Sequence, residues 1–142
     1  MCFPLYAASR LMVNAYRPLL EPLGLTYPQY LVMLVLWEKD GMSVGDIGAR
    51  LHLDSGTLTG LLKRLAQQGL IVRKRSLEDD RVVVNWLTDA GRTLKRRAMP
   101  VPTEMLCRAG LGLNDVDRAK TMLDDLIARL LPLQRGEASG DD

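Results

Sequence analysis

Apolar positions recur along this chain mostly at a helical period, and the few breaks in that rhythm mark its turns and one hairpin. Phe3 to about Leu20 predicts a first helix, with Tyr6, Met12, Val13 and Tyr16 among its larger side chains and a stop near Pro18, Pro22 and Gly24. Thr26 then offers a cap, Pro28 fits the first helical position, and Gln29 completes a Thr-x-x-Gln capping box. The run from Tyr30 to Trp37 is apolar all round, the mark of a buried central helix. Ser43, with Asp46 three residues on, opens a short helix through about Leu51. Asp54 and Ser55 can cap the next, in which Leu58, Leu61, Leu62 and Leu65 fall at i, i+3, i+4 and i+7. Two short helices joined in this way form a helix-turn-helix unit.

The period then changes. Leu70–Arg75 and Val82–Leu87 favour strand, and the polar stretch from Ser76 to Arg81 between them predicts a hairpin placed as a wing. Thr88 caps a helix that begins at Asp89 and carries Lys95, Arg96 and Arg97, until Pro100 and Pro102 interrupt or kink it. Cys107 lies just beyond that break, and Asn114 with Asp117 starts a last helix striped by Val116, Ala119, Met122, Leu123, Leu126, Ile127 and Leu130. The expected class is mainly α with a small β wing, a single winged helix-turn-helix domain over residues 1–133. Residues 43–87 would form its DNA-binding part, 1–25 and 88–133 its dimerisation helices, and 134–142 a disordered tail. The first and last helices carry more apolar surface than one small domain easily covers, which points either to a shared homodimer core or to packing within the chain.

Charge sharpens the picture only locally. A net charge of +2 excludes a generic basic coat for nucleic acid, yet Lys63, Arg64, Arg73, Lys74 and Arg75 face a single acid, Asp54, between Asp54 and Arg75. Ser55, Thr57 and Thr59 sit toward the start of the second helix and Lys63 and Arg64 toward its end. The face they make is either a surface for double-stranded DNA or a solvated amphipathic face. At the hairpin tip Arg81 is suited to a narrow minor groove, with Asp79 holding the loop. Apolar runs are too short for a membrane span and the start lacks signal-peptide features, so a cytoplasmic location is expected. Two distant cysteines and one histidine, His52, predict no metal site, and no cofactor is expected. From the residues alone Cys2 is either an inert terminal residue or a reactive thiol, and Cys107 either a small buried hydrophobe or a thiol partner.

The order of these elements resembles the MarR family of dimeric winged-helix regulators. The resemblance is most specific in the wing, Asp79-Asp80-Arg81-Val82-Val83-Val84-Asn85-Trp86-Leu87-Thr88 with Gly91 after it. Cys2-Phe3-x-Leu5-Tyr6-Ala7, the stretch from Leu25 to Val32, Trp37-Glu38 and the stretch from Leu53 to Thr59 are similar to the organic-hydroperoxide sensors of that family, the OhrR branch. The resemblance implies a homodimeric repressor of operator DNA, not an enzyme, with an organic hydroperoxide as inducer. It implies a sensing cysteine at Cys2, hydrogen-bonded across the dimer by Tyr16 and Tyr27, a further pocket tyrosine at Tyr6, and a resolving cysteine at Cys107 that closes an intersubunit disulfide and releases the DNA. Departures are Gly60, where a proline is frequent, and Cys2 directly after Met1, where members carry an extension. Two other readings remain at this point: a MarR-type repressor released by a small aromatic ligand, and a thiol peroxidase using Cys2.

Overall fold

The computed structural model describes residues 1–137, in two compact units, Met1–Pro102 and the remainder from Thr103. In the first unit, α1 (Cys2–Leu20) runs into a single 3-10 turn at Glu21–Leu23. The helix ends at Leu20, as expected, and passes through Pro18 on the way. A proline removes one backbone donor, and the two residues after it, Leu19 and Leu20, are buried and hold the last turn in place.

Next comes α2 (Tyr27–Glu38), opened by the predicted capping box: the Gln29 amide donates to Thr26 Oγ1 at 3.4 Å and the Thr26 amide donates to Gln29 Oε1 at 3.0 Å. Tyr27 takes the first helical position and Pro28 the second, one later than expected; both lie in the turn where an amide has no helical acceptor to lose. Tyr30, Val32, Met33, Val35 and Leu36 are buried, so α2 is the central helix its all-round apolarity implied. It packs against α3 (Val44–Leu51), α4 (Ser55–Gln67) and α5 (Asp89–Ala98). From α3 the core takes Ile47, and from α4 it takes Leu58, Leu61, Leu62 and Leu65.

The hairpin forms from β2 (Ile71–Arg75) and β3 (Val83–Leu87), paired antiparallel from Ile71 opposite Leu87 to Arg75 opposite Val83. A third strand, β1 (Met42–Ser43), adds to the other side of β3 with Met42 opposite Asn85. Two residues carry no readable alternation, so this strand was absent from the sequence pattern. Gly41 precedes it at φ 67°, and a Cβ there would meet the Trp86 ring at 2.5 Å. Gly91 is more confined. A Cβ on it would lie well inside contact distance of the Leu70 carbonyl, while its own carbonyl accepts from Trp37 Nε1 at 2.9 Å. Gly91→Ala must therefore push α5 away from the strand and α2 together. A stability loss on the order of 2–4 kcal/mol is expected, read as a lower Tm in thermal melts.

The two prolines at the end of α5 do more than kink it. The helix stops at Ala98 and a separate helix, α6 (Val101–Ala109), starts with Pro102 in its first turn, where proline is tolerated. In the second unit α7 (Leu113–Glu137) begins one residue before Asn114, and the Gly112 amide donates to Asp115 Oδ2 at 2.9 Å, so Asp115 satisfies the end that Asn114 and Asp117 were expected to cap. Met122, Leu123, Ile127, Leu130 and Leu133 are exposed along α7. The helix runs on to Glu137, into the stretch expected to be disordered from Gln134, and residues 138–142 lie outside the described residues. Among the described residues no single helix is long and apolar enough to cross a membrane.

Candidate nucleic-acid interface and thiol site

The turn between α3 and α4 is set by backbone geometry. His52 closes α3 in the left-handed region at φ 53°, and the Leu53 amide returns to the Gly48 carbonyl at 3.1 Å. Asp54 then caps α4, accepting from the Thr57 amide at 2.8 Å and from Thr57 Oγ1 at 2.9 Å. These bonds hold the Asp54 carboxyl below the usual carboxylate range. They also commit the Thr57 hydroxyl proton. Thr57 is exposed, and what its hydroxyl offers outward is lone pairs, an acceptor rather than a donor. Ser55, Lys63 and Arg64 are exposed on the same helix and Thr59 is half-buried, while the leucines fill the opposite face.

Beyond α4 the hairpin adds cations. Lys74 and Arg75 are exposed and Arg73 is half-buried. At the tip, the Ser76 amide donates to the Val82 carbonyl at 2.8 Å, and Asp79 Oδ1 accepts from both the backbone amide and Nε of Arg81, at 3.0 and 3.2 Å. The Arg81 bonds pull the Asp79 carboxyl below its ordinary range, and they orient a side chain that is itself 90% exposed. The clip fixes direction without burying the charge.

Both cysteines are free thiols and exposed, Cys2 in the first turn of α1 and Cys107 on α6. Tyr6 stands one turn after Cys2, exposed, with the Arg10 guanidinium 5.6 Å from its ring centroid. Tyr16 and Tyr27 meet with ring centroids 5.1 Å apart. Burial raises both phenols above their ordinary pKa, Tyr16 further by its neighbour Tyr27, so both hold their proton at neutral pH and remain donors. Cys2 and Tyr16 share one helix fourteen positions apart, about 21 Å at 1.5 Å per residue. The fold thus brings the two tyrosines together and keeps the same chain's Cys2 away from them.

Two residues to which the sequence reading gave no site role belong to these neighbourhoods. Tyr30 extends the aromatic row, 5.9 Å from Tyr16 and 6.5 Å from Trp37, and burial pushes its hydroxyl up to about 12. Its spacing of three from Tyr27 on α2 was the available signal. Asn85 is fully buried on β3, at an inward position of the Val83, Asn85, Leu87 alternation, where an amide is conspicuous. A cavity of about 270 Å³ lies beside the aromatic row, lined by Tyr30, Leu34, Trp37, Lys95, Ala98 and Met99 among others.

The sequence and the fold recur in known proteins. The family described as transcriptional regulator SarA/Rot has a model that matches residues 14–98. The organic hydroperoxide resistance transcriptional regulator of Bacillus subtilis is 48% identical over 130 residues, covering 92% of this chain and 88% of the relative. The chain belongs to the MarR family of winged-helix transcriptional regulators. Among solved structures, reduced AbfR bound to DNA is similar at a TM-score of 0.83 and 36% identity, over 93% of this chain and 90% of that one; AbfR is a Staphylococcus epidermidis protein. A structure of disulfide-formed AbfR is similar at 0.65 and 35% identity, over 94% and 89%. This MarR-family chain is therefore a DNA-binding regulator rather than an enzyme, and the peroxidase alternative falls away.

Proposed function

We propose that this MarR-family chain is a homodimeric, cytoplasmic repressor that binds operator DNA when reduced and lets go when an organic hydroperoxide oxidises Cys2. The observation that carries the reading is the placement of the reactive and donor groups. An exposed thiol stands in the first turn of α1, and about 21 Å further along that helix the half-buried Tyr16 stands paired with the half-buried Tyr27 of α2, both phenols protonated. Donors of that kind favour the thiolate when a second copy delivers its own Cys2 to them. Support also comes from the relatives: the 48% identical protein carries hydroperoxide resistance in its name, and this backbone follows reduced, DNA-bound AbfR more closely than the disulfide form.

The chemistry balances without a cofactor. The Cys2 thiolate attacks one peroxide oxygen, the O–O bond breaks, and the other oxygen leaves as an alcohol after taking a proton; the sulfur is oxidised to a sulfenic acid and the peroxide reduced. The Cys107 thiol of the other copy then forms the S–S bond and expels water. Bond closure requires the two Cα atoms to come within about 7 Å, which drags the chain near Cys107 and disturbs the paired wings. Two half-sites one helical turn apart, about 34 Å, leave little tolerance for such a shift.

On DNA, Ser55, Thr57, Thr59, Lys63 and Arg64 would meet the major groove, Arg73, Lys74 and Arg75 the phosphates, and Arg81 the minor groove, held by Asp79. Arg81→Ala is expected to cost on the order of 1–3 kcal/mol in operator binding, whereas changes at Thr57 or Thr59 alter which sequences are preferred. Unchanged affinity for Arg81→Ala in a gel-shift titration would remove the wing from the mechanism. The decisive assay compares DNA binding of reduced and peroxide-treated protein, with non-reducing gels alongside. The expected result is release together with a dimer band that Cys107→Ser abolishes.

A second reading is favoured by the cavity beside Tyr30 and Trp37. Its aromatic walls suit a small aromatic ligand, with Glu38 and Lys95 both at the lining, so ligand-driven release without oxidation is the alternative to be tested against the first.

A further inference from the structure

The wing's base holds a mismatch that the DNA-reading residues do not explain. Asn85 is fully buried at the centre of the three-stranded sheet, and its Nδ2 donates to the Met42 carbonyl at 3.1 Å. Its Oδ1 has no partner among the described residues. Directly opposite in register stands Arg73, whose Nε is likewise buried and without a partner among the described residues. With Nδ2 committed to Met42, the unpaired atoms on these two facing residues are one acceptor and one donor. Side chains opposite each other on antiparallel strands have Cβ atoms only about 5 Å apart, within reach of an arginine. A buried donor and a buried acceptor left open each carry a desolvation cost that their mutual bond would remove. No carboxylate lies within ion-pair distance of Arg73 among the described residues, so its half-buried guanidinium also lacks a counter-anion.

We propose that Asn85 is a positioning residue for DNA binding: its Oδ1 accepts a hydrogen bond from Arg73 Nε and thereby aims the two terminal guanidinium nitrogens at one backbone phosphate beside the wing. A guanidinium held by Nε still has its outer donors in the planar fork that matches a phosphate. The same amide ties β1, which leads into α3, to β3 of the wing, so the clamp is registered to the helix-turn-helix through one side chain. This inference rests on the DNA-binding reading of Arg73.

The test uses the full reduced chain and a mixed-sequence duplex of about three helical turns, because phosphate contact is independent of sequence and each lost contact lowers the slope of log K against log salt by about 0.9. Arg73→Ala and Asn85→Leu are each expected to lower the slope by about one, and the double variant by no more than either. Wild-type slope in a folded Asn85→Leu chain, or an Asn85→Leu effect that persists in the Arg73→Ala background, would overturn the proposal. Arg73→Lys provides a variant that keeps the charge and removes Nε. A slope near that of Arg73→Ala supports the positioning role, and a wild-type slope counts against it even where Asn85→Leu fails to fold. Absence of salt-dependent binding by the wild-type chain would instead overturn the DNA-binding reading itself.

Discussion

Replacing Cys2 with serine is expected to leave reduced-state DNA binding at the wild-type level and to abolish release by organic hydroperoxide. A serine hydroxyl fills nearly the same space at an exposed first-turn position, so stability and the reading helix are unaffected. It does not ionise at neutral pH and is no nucleophile toward a peroxide bond, so the first oxidation cannot occur. The effect is close to all-or-none, measured as operator occupancy before and after peroxide addition. Persistence of peroxide-driven release in Cys2→Ser would sink the proposed sensor. If a small aromatic ligand releases the variant as it does the wild type, the cavity lined by Tyr30 and Trp37 becomes the controlling site instead.

Leu123→Asp is expected to destroy assembly and DNA binding together. Leu123 lies exposed in the α7 stripe with Met122, Ile127 and Leu130, an apolar run too long to leave facing water. In a two-fold interface one substitution enters twice, so two unpaired carboxylates would have to be desolvated at once. Analytical ultracentrifugation should find monomer or aggregate, with no specific operator complex. A folded monomer that binds operator as tightly as wild type would show that α7 is not the assembly surface.

Much of the DNA-facing architecture was legible from pattern alone. The leucine spacing of α4, the capping residues Thr26, Ser43, Asp54 and Thr88, and the paired β-favouring runs each state a local rule that the fold obeys. Less legible were features decided by contact between distant segments. The β1 strand exists because β3 has a free edge beside Met42, and nothing in a two-residue sequence announces that. The helix end at about Leu20 was legible, but the burial of Leu19 and Leu20 that offsets the local cost of Pro18 is tertiary and was not. At the thiol site, composition could not distinguish a reactive Cys2 from an inert one, because reactivity depends on neighbours. Resemblance supplied Tyr16 and Tyr27; the fold adds that Tyr30 stacks into the same row.

The long stretch of α1 between Cys2 and Tyr16 has a genetic consequence. If each sensor takes its sulfur from one copy and its phenols from the other, defects in the two halves lie in different alleles and need not add. Pair a Cys2→Ser chain with a Tyr27→Phe chain, and one of the two composite sites unites two damaged halves. The other unites an intact cysteine with an intact tyrosine pair. A cell expressing both alleles should therefore regain part of a peroxide response that neither allele supports alone.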